Sequence, residues 1–141
     1  MNEISHQNLN SDQIKAVESI NGPLLILAGA GAGKTKTITY RILNLIKHGV
    51  SPKEILAITF TNKAAKEMRD RVMKVINEDR ELNLPVSINE KPFVSTFHAL
   101  GVHIIKENCQ LLGLPRHFNI YDRSDSKRAL KEAMTSLNIN P

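Results

Sequence analysis

Pro23-Leu24-Leu25-Ile26-Leu27-Ala28-Gly29-Ala30-Gly31-Ala32-Gly33-Lys34-Thr35 is the stretch on which the fold turns. A short apolar run ends in small residues and then a Gly-Lys-Thr triplet, the pattern of a buried strand that bends sharply into a helix. The first amides of such a helix have no intrahelical partner and can hydrogen-bond phosphate oxygens instead. Glycines let the backbone come that close. Lys34 then reaches the terminal phosphates as a point charge, and the Thr35 hydroxyl completes the coordination of a magnesium ion held mainly by phosphate oxygens and water. The stretch therefore predicts a phosphate-binding loop. The alternative is a Gly/Ala-rich turn that happens to precede a lysine. The usual G-x-x-x-x-G-K-[ST] pattern has glycine where this chain has Ala28, so the cradle rests on Gly31, Gly33, Lys34 and Thr35.

On the amino-terminal side lies Leu9-Asn10-Ser11-Asp12-Gln13-Ile14-Lys15-Ala16-Val17. Asn10 is placed to cap a helix and Gln13 sits at its third position, the spacing of a capping box. Gln13 has two readings: a cap partner, or an amide whose donor and acceptor both pair with the edge of an adenine. On the other side Ile38, Ile42, Leu45 and Ile46 recur at helical spacing from Thr35 to His48, and Gly49 with Ser51-Pro52 stops that helix. Ile55-Leu56-Ala57-Ile58-Thr59-Phe60 is an apolar run of buried-strand type. Thr61 and Asn62 offer caps for a helix whose apolar stripe is Ala65, Met68, Val72 and Ile76. Lys63, Lys66, Arg69, Arg71 and Lys74 load its other faces, as a solvated surface does. Periodicity fails from Asn77 to Pro92, which predicts an irregular connection.

Phe93-Val94-Ser95 predicts another strand, leading through Thr96-Phe97-His98 into a helix with Leu100, Ile104, Ile105, Leu111 and Leu112 on its apolar side. Beyond Gly113-Leu114-Pro115, a short Phe118-Asn119-Ile120-Tyr121 piece precedes a charged helix from about Ser124 to Leu137, the start of a further unit. Strands alternating with helices imply an α/β fold, with a parallel sheet of three strands, right-handed crossovers and helices on its faces. A ligand then lies at the carboxyl ends of the strands, beside Thr59-Phe60-Thr61 and Ser95-Thr96-Phe97.

The chain of 141 residues is one domain in length and can bury a proper core. Lys and Arg number 19 against 14 Asp and Glu, a net charge of +5 that permits a polyanionic partner and is equally met by a basic solvated surface. The single cysteine, Cys109, excludes an internal disulfide and, with no signal peptide in view, fits a cytoplasmic protein. No apolar run has the length to cross a bilayer, so no membrane association is expected. His98 and His103, without a third clustered ligand, lack the pattern of a metal site.

Four stretches converge: Leu9 to Val17 around Gln13, Ala28 to Thr35, Thr59-Phe60-Thr61-Asn62-Lys63-Ala64-Ala65, and Ser95-Thr96-Phe97-His98-Ala99-Leu100. Their order and spacing resemble the amino-terminal part of the UvrD/Rep/PcrA group of superfamily 1 DNA helicases, over about residues 8 to 130. The resemblance implies a P-loop NTPase of RecA-like type: a partial parallel sheet flanked by helices over 1–115 (motor domain 1A), and a helical insertion subdomain (1B) starting over 116–141. It implies ATP and magnesium as cofactors, with Lys34 and Thr35 catalytic and Thr35 on the metal ion. The nucleotide contacts become Gln13, reading adenine, and Ala28, Gly29, Ala30, Gly31, Ala32, Gly33, Lys34, Thr35 and Lys36. Lys36 departs from the arginine often found there, whose planar cation packs over adenine better than an ammonium does. Single-stranded DNA and duplex junctions become the partners, with Phe60 stacking on a base and Thr61, Asn62, Lys63, Thr96, Phe97 and His98 lining the track.

A motor of this class also needs an acidic pair at a strand end and arginines from a second similar domain. Ile120-Tyr121-Asp122 is too short an apolar run to supply the first. Such helicases run to several hundred residues, so the resemblance implies a piece of the first motor domain, inactive by itself. The parent is then an ATP-dependent helicase or translocase moving 3′ to 5′ on single strands in DNA repair or replication. Two other classes share the loop: a P-loop kinase of a small molecule, and a nucleotide-binding module without turnover. The Thr59 to Ala65 stretch favours the helicase.

Overall fold

A computed structural model describes residues 9–79 and 90–139, so most of the connection predicted between Asn77 and Pro92 lies outside the described residues. The backbone divides into two units, Met1–Gly101 and Val102–Pro141. In the first, Asn10 opens α1 (Ser11–Glu18) with the complete capping box that the spacing predicts. Helix α2 (Lys34–Lys47) stops where Gly49 adopts φ 88°. There Gly49 N donates to the Ile46 carbonyl and Val50 N to the Leu45 carbonyl, so the orphan carbonyls of the last turn are satisfied. A 3-10 turn (Pro52–Glu54) leads into β1 (Leu56–Thr59), and Thr61 caps α3 (Asn62–Glu78) by accepting from Ala64 N at 3.1 Å. β2 (Phe93–Thr96) runs directly into α4 (Phe97–Glu107).

β1 and β2 pair in parallel, from Leu56 beside Phe93 to Thr59 beside Thr96. With α3 as the crossover, both strands end on the same edge. Ile42, Leu43 and Ile46 of α2, Met68, Val72 and Ile76 of α3, and Ile55, Ala57 and Val94 form one core. All four members of the predicted α3 stripe are buried. Arg69 fastens α3 to β2 by donating to the Val94 carbonyl at 2.7 Å.

The sheet has two strands where the sequence predicts three. Leu24–Leu27 is not a strand, and Leu25 and Leu27 are 80% and 86% exposed. A strand exists only as part of a hydrogen-bonded ladder, and no described residue pairs with 23–28. For the same reason β1 is not buried on both faces: Leu56 is 54% exposed. It borders an apolar hollow of about 280 Å³ lined also by Ile38, Ile42, Leu45, Ile58 and Met68.

In the second unit, α4 ends at Glu107, short of Leu111 and Leu112, which are exposed. The Asn108 side-chain amide donates to the Ile104 carbonyl at 2.8 Å, alongside its own backbone N–H, and this local bonding competes with continuation of the helix. Helix α5 (Arg123–Ser136) starts on Asp122, whose carboxylate accepts from Ser124 and Asp125 N–H, and closes on Asn138 at φ 57°. Among the described residues no helix is long and apolar enough to cross a membrane.

A buried ion pair joins the ends of α2 and α3: Lys47 Nζ lies 2.8 Å from Asp79 Oδ2, with the side chains 3% and 11% exposed. Removing one partner of such a pair leaves the other's charge less compensated in the interior, whereas apolar replacement of both is often neutral. Lys47→Met is therefore expected to lower the free energy of urea unfolding by about 3 kcal/mol, and Lys47→Met with Asp79→Leu to recover most of that. Equal losses in the single and double variants would be the contrary result.

Candidate functional site

Gly31 and Gly33 have φ of 76° and 79°, the left-handed region that costs other residues about 1–2 kcal/mol, and the chain turns there into α2. Gly33 caps α2 without a side-chain hydrogen bond. That turn holds Lys34 and Lys36 and no acid. Lys34 is exposed there and Lys36 half-buried. Lys34 Nζ donates to the carbonyls of Ala28 at 2.9 Å and Gly29 at 2.6 Å, folding the ammonium back over the loop. Ala32 N donates to the Gly29 carbonyl at 3.3 Å, and Ala30 lies exposed between them. Thr35 is half-buried, and among the described residues nothing bonds its hydroxyl; its carbonyl accepts from Thr39 Oγ1 at 2.8 Å.

Gln13 reaches this loop from α1. Its Oε1 accepts from Asn10 N at 3.0 Å in the capping box, and its Nε2 donates to the Ala32 carbonyl at 3.0 Å. The cap reading of Gln13 holds, and the same amide lies against the loop. A Cβ built on Gly33 would come 2.7 Å from Gln13 Nε2, so φ favours glycine there and a side chain would displace the Gln13 amide. The other end of α1 is held by α2. Arg41 donates to the carbonyls of Ala16, at 2.7 Å, and Ser19, and Asn44 Nδ2 donates to the Val17 carbonyl at 2.9 Å. Sequence reasoning did not single out Arg41 or Asn44. The available signal was two polar residues three apart, on one face of α2.

At the sheet edge, Phe60 follows β1 and is 93% exposed, so it is not a core aromatic. Asn62 and Lys63 are exposed on the first turn of α3, and the Thr61 hydroxyl is engaged as its cap. Phe97 and His98 are exposed on the first turn of α4; Thr96 is buried, its hydroxyl accepting from Ala99 N at 3.3 Å. Because Thr59 and Thr96 are register partners, the pair β1–β2 sets 60–63 beside 97–98. Helix α2 packs against α1 and α3, and its Ile42, Leu43 and Ile46 share one core with Ala57 of β1. Among the described residues no three His, Cys, Asp or Glu gather as a metal site, and Asp122 is occupied as the cap of α5.

Residues 9–141 match the model of the UvrD/REP helicase N-terminal domain. The chain belongs to the UvrD/REP helicase family. It is 44% identical over 135 residues to ATP-dependent DNA helicase PcrA of Staphylococcus epidermidis, which covers 95% of this chain and 17% of that protein. It is 43% identical over 133 residues to PcrA of Leuconostoc citreum and 41% over 134 residues to PcrA of Staphylococcus aureus, covering 94% of this chain and 17% of the relative in each case. The chain thus spans about 17% of the length of these relatives, and the UvrD/REP match includes the Gln13 stretch, the loop and both strand ends.

The two left-handed glycines differ in their surroundings. Open space surrounds Gly31, whereas Gly33 meets Gln13. Gly33→Ala is expected to push the Gln13 amide off Ala32, costing about 0.5–1.5 kcal/mol of unfolding free energy beyond the loss in Gly31→Ala, the worth of one hydrogen bond. In a Gln13→Ala background that excess should vanish. An excess that persists there would place its origin elsewhere than the Gln13 contact.

Proposed function

We propose that these residues form the nucleotide cradle and part of the single-stranded DNA track of an ATP-dependent DNA helicase. The observation that carries the reading is the left-handed Gly31–Gly33 turn at the start of α2, with Lys34 Nζ resting on two exposed loop carbonyls. An arriving phosphate exchanges for those carbonyls: the ammonium moves to phosphate oxygens, the released Ala28 and Gly29 carbonyls go to water, and the first-turn amides of α2 take up the remaining oxygens. The unengaged Thr35 hydroxyl fits a magnesium ligand, and the ion neutralises phosphate charge when bound. Gln13 retains one N–H and one lone pair beyond its bonds to Ala32 and Asn10, enough to pair with an adenine edge. These 141 residues form the first part of a RecA-like motor domain, with a helical insertion subdomain beginning over 116–141. By themselves they bind nucleotide without turning it over, because arginine from a partner domain is worth about 10³–10⁵ in rate in related NTPases. The parent translocates 3′ to 5′ and acts on single strands and duplex junctions.

Exposure of Phe60 distinguishes this from a small-molecule kinase, which has no use for an aromatic ring standing in solvent at the strand end. In the full-length helicase, Lys34→Ala is expected to weaken ATP binding about 100-fold, the loss of charge-assisted hydrogen bonds to phosphate. Unchanged ATP affinity in a folded Lys34→Ala protein would overturn the loop assignment. Phe60→Ala is expected to weaken single-stranded DNA binding by about 1–3 kcal/mol through lost stacking. Basal ATP hydrolysis and thermal stability should hold, since the ring is buried against nothing. Equal losses of DNA-stimulated and basal hydrolysis would count against a stacking role.

A further inference from the structure

We infer that Arg41 and Asn44 are positioning residues for nucleobase recognition, acting through α1 on Gln13. The inference rests on the reading that the loop holds ATP and that Gln13 faces its base. Helix α1 is short, and its last carbonyls have no intrahelical donors. Three of the carbonyls at this end are taken by side chains of α2: Ala16 and Ser19 by the Arg41 guanidinium, and Val17 by the Asn44 amide. A guanidinium at a helix carboxyl end also matches the dipole there. Asn44 is 2% exposed, and an apolar residue at that point would bury more favourably. A polar group kept there and satisfied by one backbone carbonyl of another helix specifies where that helix sits.

Gln13 lies one helical turn before Val17, and Val17 is fully buried. A slip of α1 by one residue along α2 moves Gln13 by about 1.5 Å along the axis and turns it through about 100°. Either displacement takes Nε2 off the Ala32 carbonyl. The grip of Arg41 and Asn44 on one end of α1 thus fixes the place of the amide at the other. Arg41 lies two turns and Asn44 three turns along α2 from Lys34, so neither is placed to touch phosphate.

The test uses the full-length helicase and measures Kd by calorimetry for ATP, GTP and inorganic tripolyphosphate. Adenine offers N6–H and N7 to a glutamine amide, whereas guanine offers two acceptors, so the ATP-to-GTP ratio reports Gln13. Asn44→Ala and Arg41→Lys are expected to lower that ratio about tenfold, as Gln13→Ala does, while leaving tripolyphosphate affinity unchanged. Arg41→Lys keeps the charge and loses only the planar fork, so it tests the grip where Asn44→Ala fails to fold. In a Gln13→Ala background neither substitution should change the ratio further, because the effect travels through that side chain. A ratio that falls in Gln13→Ala and stays at the wild-type value in both Arg41→Lys and Asn44→Ala overturns the inference and leaves the proposed site standing. A wild-type protein that binds tripolyphosphate without discriminating ATP from GTP overturns the inference together with the Gln13 reading.

Discussion

Helix α2 begins on a left-handed glycine with no side-chain cap and no acid in its first turn, and Lys34 and Gln13 are arranged about that end. Ordinary helices begin with an acceptor side chain that satisfies an orphan amide and a nearby acid that meets the dipole. Gly33 supplies neither. The nearest acceptors for the Lys34 ammonium are the carbonyls of Ala28 and Gly29, so the lysine closes over the loop that it opens. The Gln13 amide settles against Ala32 because Gly33 has no Cβ to exclude it.

The elements around that end are joined by side chains that seize backbone carbonyls of their neighbours. Arg41 and Asn44 take the end of α1, and Arg69 takes Val94 of β2. Apolar contacts alone tolerate sliding, since one leucine surface is much like another, whereas a hydrogen bond to a particular carbonyl does not. The division of labour is visible on α2, where Ile42, Leu43 and Ile46 enter the shared core and Arg41 and Asn44 set the register of α1. The stripe of α3 does the same with Met68, Val72 and Ile76 in the core and Arg69 on the strand.

The features legible in the sequence are those determined by neighbours in the chain. The capping box of Asn10 and Gln13, the stop at Gly49, the cap at Thr61 and the stripe from Ala65 to Ile76 all depend on contacts within a few residues. The left-handed glycines of the loop are of the same kind. Where the reading went astray, the deciding partner was distant or a competing local bond was overlooked. Leu24–Leu27 has the composition of a buried strand, yet strandhood is a property of a ladder. Leu111 and Leu112 continue the apolar periodicity of α4, yet Asn108 bonds back to Ile104 and the helix stops. The grip of Arg41 on α1 spans 25 residues to Ala16 and left no periodic trace.

The unpaired state of Leu24–Leu27 bears on how the loop is supported. A phosphate loop is held at two ends, by the strand before it and the helix after it. Here the helix end is fixed by the packing of α2, while on the strand side no described residue forms a ladder with 23–28. The loop's remaining ties are the turn bond from Ala32 N to Gly29, the Gln13 bond to Ala32, and the two Lys34 bonds that reach back to Ala28 and Gly29. Among the described residues, the Lys34 bonds link the helix directly to the strand side of the loop. In the proposed role, a phosphate that drew Lys34 from those carbonyls would bridge the ammonium and the loop amides with charge-assisted bonds, each roughly twice as strong as a neutral one. In that role, exchange of carbonyl for phosphate would replace a weak internal tether by a stronger external one, so that the proposed anion would order this loop instead of loosening it.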